Sequence, residues 1–408
     1  MDAGVGATRA SWCAADRSHP APGWGPKPRI LERAMSALAP TDLEYLDRAL
    51  QLAERGRGRV SPNPLVGALV VLNGAVIGEG WHAELGGDHA EVAAITAAGG
   101  PAATRGATMY VSLEPCCHQG RTPPCSEAIT AAGIARVVIA SDDPSEKANG
   151  RSLGMLRDEG IEVEMAEGEI RQRATGMNQP FRKHARTGRP WVLAKFAASL
   201  DGKVASSSGD SKWISGEESR ALVHQWRSEV DAVAVGIGTA LTDDPRLTAR
   251  GDGTLTQPRR VVFDASARLP LDSQLVAEPE SPPVTVVVDR GAQRAEVDAL
   301  EASGVDVLVA TGENEAARVE SALEQLGELG ITSVLLEGGP KLAGAFLDAG
   351  EVDELRIFLA PVLIGAHAAR DPFEGRGSET VAEALRVPTP DVTRVGDDLL
   401  LTSRLREW

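Results

Sequence analysis

Between Asp88 and Cys125 the chain gathers His89, Glu91, Cys116 and Cys125 in one short segment, DHAEVAAITAAGGPAATRGATMYVSLEPCCHQGRTPPC. One imidazole and two thiolates are good zinc ligands, and a neighbouring carboxylate outside the ligand set can move protons for a metal-held water. Three protein ligands leave the fourth tetrahedral position to water, the open arrangement of a catalytic zinc. Two other readings stand beside this one. A structural zinc closed by His118 or Cys117 is the first, and small buried cysteines with no metal are the second.

The pattern around this segment alternates helix and strand, which implies a sheet with helices packed on its faces. Leu43, Leu46, Leu50 and Ala53 recur at helical spacing behind a capping box of Thr41 and Glu44. The apolar run 65–72, the hairpin signal Asn73-Gly74 and a returning strand over 75–78 follow. A helix is predicted over about 89–98, then a strand over 109–113 that delivers Glu114-Pro-Cys-Cys, then a helix opened by Cys125. The partial positive charge of that helix start favours thiolate at Cys125. His89 and Glu91 stand about 200° apart on a regular helix, yet from its first turn both can reach a metal near the helix end. A strand over 137–140, a helix over 152–159 and a strand over 161–165 complete this half.

Length and charge narrow the class. A chain of 408 residues has room for two or three domains. The Gly-, Ala- and Pro-rich residues 1–40 are expected to form a disordered tail, with Met35 as an alternative start. The charged stretch 166–190 reads as a linker, which divides the rest into domains over 41–186 and 187–408. A net charge of −16 argues against nucleic-acid and membrane-surface partners, because both need a basic face. Phosphorylated small molecules remain open, since they need only a few local cations. No run approaches the ~18 apolar residues of a membrane-spanning helix. Four cysteines, three of them within 116–125, do not make a disulfide framework, and a reducing cytoplasm is the expected setting.

The order His-x-Glu, Pro-Cys, Cys is that of the zinc nucleobase deaminases, which place two residues between the cysteines where this chain has eight. The longer gap is informative. With Asn63-Pro-x-Val-Gly67, Gly80-x-His82, His89-Ala-Glu91 and the run 114–125, this half resembles the deaminase part of the bifunctional riboflavin-biosynthesis proteins. The resemblance implies a cytidine-deaminase-like three-layer α/β domain with zinc on His89, Cys116 and Cys125 and Glu91 as proton donor. It places Asn63 and His82 at the base and Arg121 near the phosphate side of the substrate. His82 as a satisfied core histidine is the alternative. Leu65 replaces a residue often basic in that family.

Past residue 190 the alternation restarts, with strands predicted over 191–197, 230–235, 260–263, 284–288, 305–309, 334–336 and 355–359. A helix over 217–229 is predicted behind a capping box of Ser215 and Glu218. Arg220, His224 and Arg227 share one face of it, which is either a solvated face or a ligand-facing one. The run 230–241 superficially suggests a dinucleotide fingerprint, but its third glycine falls on Leu241, so a Rossmann reading is weak. Glu337-Gly-Gly-Pro-Lys-Leu-Ala-Gly344 is a different device: backbone amides at a helix start can cradle a pyrophosphate, unless the turn is merely tight.

Lys195-Phe-Ala-Ala-Ser-Leu-Asp-Gly-Lys203, the stretch 211–214, the stretch 238–248 and Leu336-Glu-Gly-Gly-Pro340 are similar to the reductase part of the same proteins. The resemblance implies a dihydrofolate-reductase-like α/β fold and NADPH. By match, Ala197, Trp213, Thr239, Asp243, Gly339, Pro340, Lys341, Leu342, Ala343, Gly344 and Ala345 would line the cofactor site. Ser211, Arg227, Leu247, Arg250 and Glu337 would hold a phosphorylated pyrimidine substrate. Ala265 stands where relatives can carry a hydroxyl contact to the cofactor, and Lys195 is a candidate proton donor. A homo-oligomer, a dimer or larger, is also implied.

Overall fold

Proline at the first helical position opens α1 (Pro40–Ala53), and the Asp42 carboxylate accepts the Ala39 backbone N–H at 3.1 Å. The capping box expected at Thr41 and Glu44 is not the one used, because the helix starts two residues earlier, with Ala39 as N-cap, and Asp42 takes the role. Asn73 (φ 51°) and Gly74 (φ 79°) turn β1 (Gly67–Leu72) into β2 (Ala75–Trp81), both in the left-handed region such a two-residue hairpin turn requires. The computed structural model describes residues 38–119, 123–254, 256–278, 282–365 and 369–408. The expected tail up to residue 37, with Met35, and also Arg121 lie outside the described residues.

The first half continues through α2 (Ala90–Ala97), α3 (Pro101–Thr104), β3 (Thr108–Val111), α4 (Cys125–Ala131), β4 (Arg136–Ile139), α5 (Arg151–Asp158) and β5 (Glu162–Met165). Its sheet runs β2-β1-β3-β4-β5, with β1 antiparallel to both neighbours and β3, β4 and β5 parallel. Ala68, Val70, Met109, Val111, Val137 and Ile139 point to one face and pack with Ala90, Ala94, Ile129 and Leu156 of the helices. α1 covers the other face, so the half has three layers. α2 lies flush on β2 because Gly78 and Gly80 lack side chains: a Cβ there would come within 2.3 Å of the Ala94 carbonyl and 2.4 Å of the Ala90 carbonyl. That contact fixes where the start of α2 sits, and with it His89 and Glu91.

Residues 166–190 are not an open linker. They form α6 (Gly168–Met177) and α7 (Gln179–Thr187), with Ile170, Ala174, Arg182 and Lys183 buried. The charges that suggested solvent are consumed internally. Arg182 donates to the Asp142 carbonyl and carboxylate of the first half, and Lys183 lies between Glu351 and Asp353 of the second. Asn178, between the two helices, clamps Leu65 by accepting its N–H at 2.8 Å and donating to its carbonyl at 2.9 Å.

The second half comprises β6 (Trp191–Ser199), α8 (Glu217–Glu229), β7 (Ala232–Gly236), α9 (Ile237–Asp243), β8 (Arg259–Phe263), β9 (Val284–Asp289) and α10 (Arg294–Ala302). It continues through β10 (Asp306–Ala310), α11 (Glu315–Glu328), β11 (Ser333–Leu336), α12 (Pro340–Asp348), β12 (Glu354–Ala360), β13 (Asp391–Val395) and β14 (Asp398–Arg404). The sheet order is β10-β9-β8-β7-β11-β6-β12-β14-β13, parallel as far as β12 and antiparallel in the final hairpin. A buried cluster lies on each face: Val233, Val286 and Trp226 on one, Val261, Leu323 and Phe346 on the other. This mixed sheet is the dihydrofolate-reductase-like arrangement the resemblance implies. The box expected at Ser215 and Glu218 does not cap α8; Gly216 N–H and the Ser219 hydroxyl donate instead to Asp398 at 2.8 and 2.6 Å. Among the described residues no helix is long and apolar enough to cross a membrane.

Candidate active sites

His89 is the N-cap of α2 in extended conformation (φ −71°, ψ 157°), so the helical rotation that would separate it from Glu91 does not apply. Cys116 follows the end of β3, and Cys125 is the first residue of α4. One donor atom from each of His89, Cys116 and Cys125 lies within 4.8 Å of the others. His89 Nδ1 is 3.2 Å from Cys125 Sγ and 3.6 Å from Cys116 Sγ. Tetrahedral zinc with its usual bond lengths sets N···S edges of about 3.5 Å. The donor set fits zinc.

The protonation states agree with that fit. The Cys116 thiol is held well below the ordinary thiol range, first by the hydrogen bond from Cys125 and then by His89. Cys125 is pushed up by the same sharing and by burial, so without a cation the pair divides a proton that a dication would release. The helix-start N–H of Cys125 donates to Cys116 Sγ at 3.3 Å, so the favourable end of α4 serves Cys116 and not Cys125. Glu91 is 3% exposed, and burial followed by the charge on Cys116 raises its carboxyl to about 7. Cys117 turns away, its thiol 3.5 Å from the Lys147 carbonyl, and among the described residues neither it nor His118 joins the metal cluster.

Beside the cluster, His82 Nδ1 lies 3.0 Å from the Asp88 carbonyl, which only accepts. Nδ1 is therefore the protonated nitrogen and Nε2 accepts from Asn63 Nδ2 at 3.0 Å. Burial lowers the His82 pKa and keeps the ring neutral. The His82 and His89 rings meet edge to face at 5.3 Å.

The second half opens a cavity of about 1630 Å³ along the C-terminal ends of its parallel strands. Lys195 and Ala197 of β6, Trp213, Thr239, Asp243 and 339–343 with Ala345 line it, as do Ser211, Arg227, Leu247, Arg250 and Glu337. Gly344 does not; its α-carbon faces the backbone of Glu374 and Gly375. Gly339, at φ 73°, is the N-cap of α12, and a Cβ on Gly338 would come 3.1 Å from the Thr239 hydroxyl. This bare backbone at a helix start fits a cofactor pyrophosphate.

Arg227 forks onto Glu337, with Nη2 to Oε2 at 2.9 Å, and its Nη1 donates to the Thr248 carbonyl at 3.1 Å. Its charge is thus cancelled by a buried partner. His224 donates from Nδ1 to the same carbonyl at 3.2 Å and faces Arg250 across 3.5 Å through Nε2. Burial and then the two arginines lower the His224 pKa. Arg250 is exposed and in no ion pair among the described residues, and burial lowers the pKa of Lys195. The face carrying Arg220, His224 and Arg227 therefore looks into the cavity, with Arg220 4.7 Å above the Trp213 ring. Leu247 is buried and held at φ 55°, a strained conformation for a bulky residue at a cavity wall.

Two family descriptions match the two halves. The cytidine and deoxycytidylate deaminase zinc-binding region matches residues 40–141, and the RibD C-terminal domain matches 190–401. The riboflavin biosynthesis protein RibD of Actinobacillus pleuropneumoniae is 40% identical over 361 residues, covering 88% of this chain and 94% of that protein. The chain belongs to the RibD family of riboflavin biosynthesis proteins. RibD of Bacillus amyloliquefaciens is 40% identical over 359 residues, covering 88% of this chain and 95% of that protein. The solved structure of Acinetobacter baumannii RibD superposes with a TM-score of 0.79 at 37% identity, covering 90% of this chain and 99% of that one. As a RibD-family member the chain is a bifunctional enzyme, a deaminase of the zinc-binding type and a reductase using NADPH.

Several parts of these sites had no sequence signal. Asn178 lies 113 positions from the Leu65 backbone it clamps. Asp398 anchors the start of α8 across 182 positions. Arg268, Asp289 and Arg318 enter the cavity wall from the loop after β8, the end of β9 and α11. Each is brought in by strand order, which no local spacing encodes.

Proposed function

We propose that the first half, residues 41–186, hydrolytically deaminates 2,5-diamino-6-ribosylamino-4(3H)-pyrimidinone 5′-phosphate. The second half, 187–408, then reduces the ribosyl chain to give 5-amino-6-(5-phosphoribitylamino)uracil. The observation that carries this reading is the pairing of a three-donor cluster beside the buried Glu91 with a separate cavity over a sheet's C-terminal edge. A Thermotoga maritima protein whose structure has a TM-score of 0.75 at 35% identity, covering 90% of this chain and 99% of that one, is named a diaminohydroxyphosphoribosylaminopyrimidine deaminase/5-amino-6-(5-phosphoribosylamino)uracil reductase.

His89, Cys116 and Cys125 hold the zinc, which when bound supplies Lewis-acid activation of water. Glu91 takes the proton at its carboxylate and passes it to the departing amine. Asn63 and the neutral His82 orient the pyrimidine, and Arg121 is assigned to its phosphate side by motif match alone. In the second half NADPH, when bound, supplies hydride to the ribose carbon. Ala197, Trp213, Thr239, Asp243, residues 339–343 and Ala345 hold the cofactor. Ser211, Arg227, Leu247, Arg250 and Glu337 hold the substrate. With Arg227 neutralised by Glu337, Arg250 and Lys195 supply the positive potential for the phosphate.

Three free thiols at Cys116, Cys117 and Cys125 suit a cytoplasmic setting. The open sheet edge at β13, with Val392 60% exposed, supports a homodimer through the reductase half, which light scattering would check. The deciding experiment is Glu91→Ala assayed on both substrates. Deamination is lost, while reduction persists when the deaminated intermediate is supplied. Loss of both reactions would contradict independent sites.

A further inference from the structure

Asn63 stands between two prolines, in Ser61-Pro62-Asn63-Pro64-Leu65, on the connection that enters β1. A pyrrolidine ring fixes φ at each proline, and the Asn63 N–H closes a turn onto the Val60 carbonyl at 2.9 Å. A loop this short and stiff takes its position from its two ends. Both ends are held by residues far along the chain.

At the end nearer β1, Asn178 accepts the Leu65 N–H at 2.8 Å and donates to the Leu65 carbonyl at 2.9 Å. Both polar atoms of the amide thus act on one backbone unit, and Met177 beside it packs against the cluster of Ala53, Val60 and Leu65. Asn178 is 3% exposed, and its own carbonyl accepts the Arg182 N–H at 2.9 Å, at the start of the helix that ties the two halves together. At the other end, Ser61 Oγ lies 3.2 Å from Thr332 Oγ1 of the second half. Thr332 gives its hydroxyl proton to Asp231 at 2.8 Å, so Ser61 is the donor in that contact. Asp231 also accepts the Thr332 and Ser333 N–H groups at 2.7 and 3.0 Å, which locks Thr332 in place just before β11.

We propose that Asn178 and Thr332 are positioning residues for deamination, which from its two ends set the loop that offers Asn63 to the pyrimidine. The inference rests on the reading of Asn63 and His82 as base contacts. It goes beyond that reading by making part of the deaminase site depend on the junction helices and on the second half. Asn63 Nδ2 meets His82 Nε2 at 3.0 Å, and a loop displacement of about 0.5 Å takes that bond to the edge of hydrogen-bonding range. His89, Glu91, Cys116 and Cys125 ride on other elements, the start of α2, the segment after β3 and the start of α4. Thr332 precedes β11, whereas the reductase cavity opens past that strand's other end, at Glu337 and Gly338. Loosening the loop therefore weakens base binding and spares both the metal cluster and the reductase site.

Steady-state kinetics of the zinc-loaded full chain test this, with each reaction assayed on its own substrate. Asn178→Ala raises the deamination KM about 10-fold and keeps kcat within about threefold, the pattern of lost binding shared by ground and transition states. Zinc stoichiometry and reduction of supplied intermediate stay at wild-type values. Ser61→Ala and Thr332→Val remove one contact from opposite sides and give the same split at about two- to threefold, the scale of one partly buried hydrogen bond. These two variants carry the test should Asn178→Ala fail to fold. Unchanged KM in all three, or a joint fall of zinc content and both kcat values, overturns the proposal, the second outcome because it marks buried scaffolding alone. Asn63→Ala separates the two readings. A raised KM there, with the other three variants at wild type, removes only this inference; no rise there removes the base-contact reading and this inference with it.

Discussion

Asp42 shows how much a single side chain can carry outside the chemistry. It caps α1 through the Ala39 N–H, accepts the Tyr110 hydroxyl at 2.6 Å and pairs with both terminal nitrogens of Arg136 at 2.9 Å. The Arg136 hydrogen bonds, more than any other influence, lower its pKa to about 2. A folded pKa below the unfolded one means stability that is complete above about pH 4 and fades as pH falls towards 2, worth about 2 kcal/mol. Asp42→Asn should therefore destabilise the first half by that amount at pH 7 and by almost nothing near pH 2. Denaturant titrations at the two pH values read this directly, and an equal penalty at both would refute it. The adjacent thiols make a second contrast at the same scale. Cys116→Ser should abolish stoichiometric zinc on metal analysis, whereas Cys117→Ser, whose thiol faces Lys147, should retain it.

At the scale of elements, the deaminase site depends on how α2 meets β2. A side chain at Gly80 would strike the Ala90 carbonyl, which belongs to the turn that carries His89 and Glu91. Gly80→Val should cost about 1–3 kcal/mol by overpacking and reduce deamination sharply, leaving reduction of supplied intermediate near wild type. Comparable loss of both activities would show that the strain spreads further. What could be read beforehand follows the same logic. His89, Glu91, Cys116 and Cys125 were legible because ligand chemistry and helix and strand starts are local properties, as was the Asn73-Gly74 turn. The capping boxes at Thr41 and Ser215 misled because Asp42 one residue along, and Asp398 far away, supply better acceptors. Helices α6 and α7 looked like linker because charge pattern alone cannot reveal that Arg182 and Lys183 find partners in opposite halves.

Those partners join the molecule. Residues 39–408 form one compact unit, and α7 contributes by sending Arg182 to Asp142 of the first half and Lys183 to Glu351 and Asp353 of the second. The Lys183 ammonium lies 2.9 Å from Glu351 and 2.7 Å from Asp353, all three side chains nearly inaccessible. Glu351 has a second cation in Arg189 at 2.7 Å, and among the described residues Asp353 has only neutral donors besides Lys183, the Val192 N–H at 2.8 Å and the Trp408 indole at 2.9 Å. Removing Lys183 therefore strands a charge chiefly on Asp353, whose pKa burial already raises. Lys183→Met should cost about 3–5 kcal/mol at pH 8, the usual penalty for an uncompensated buried charge. An unpaired carboxylate with a folded pKa above its unfolded value destabilises most at high pH, so the penalty should shrink as pH falls and Asp353 takes up a proton. Adding Asp353→Asn to Lys183→Met should recover part of the loss at pH 8 and little at pH 5. Chemical denaturation of the single and double variants at both pH values measures these differences. A penalty for Lys183→Met that is flat with pH and untouched by Asp353→Asn would mean that the lysine contributes packing rather than charge to the junction of the two halves.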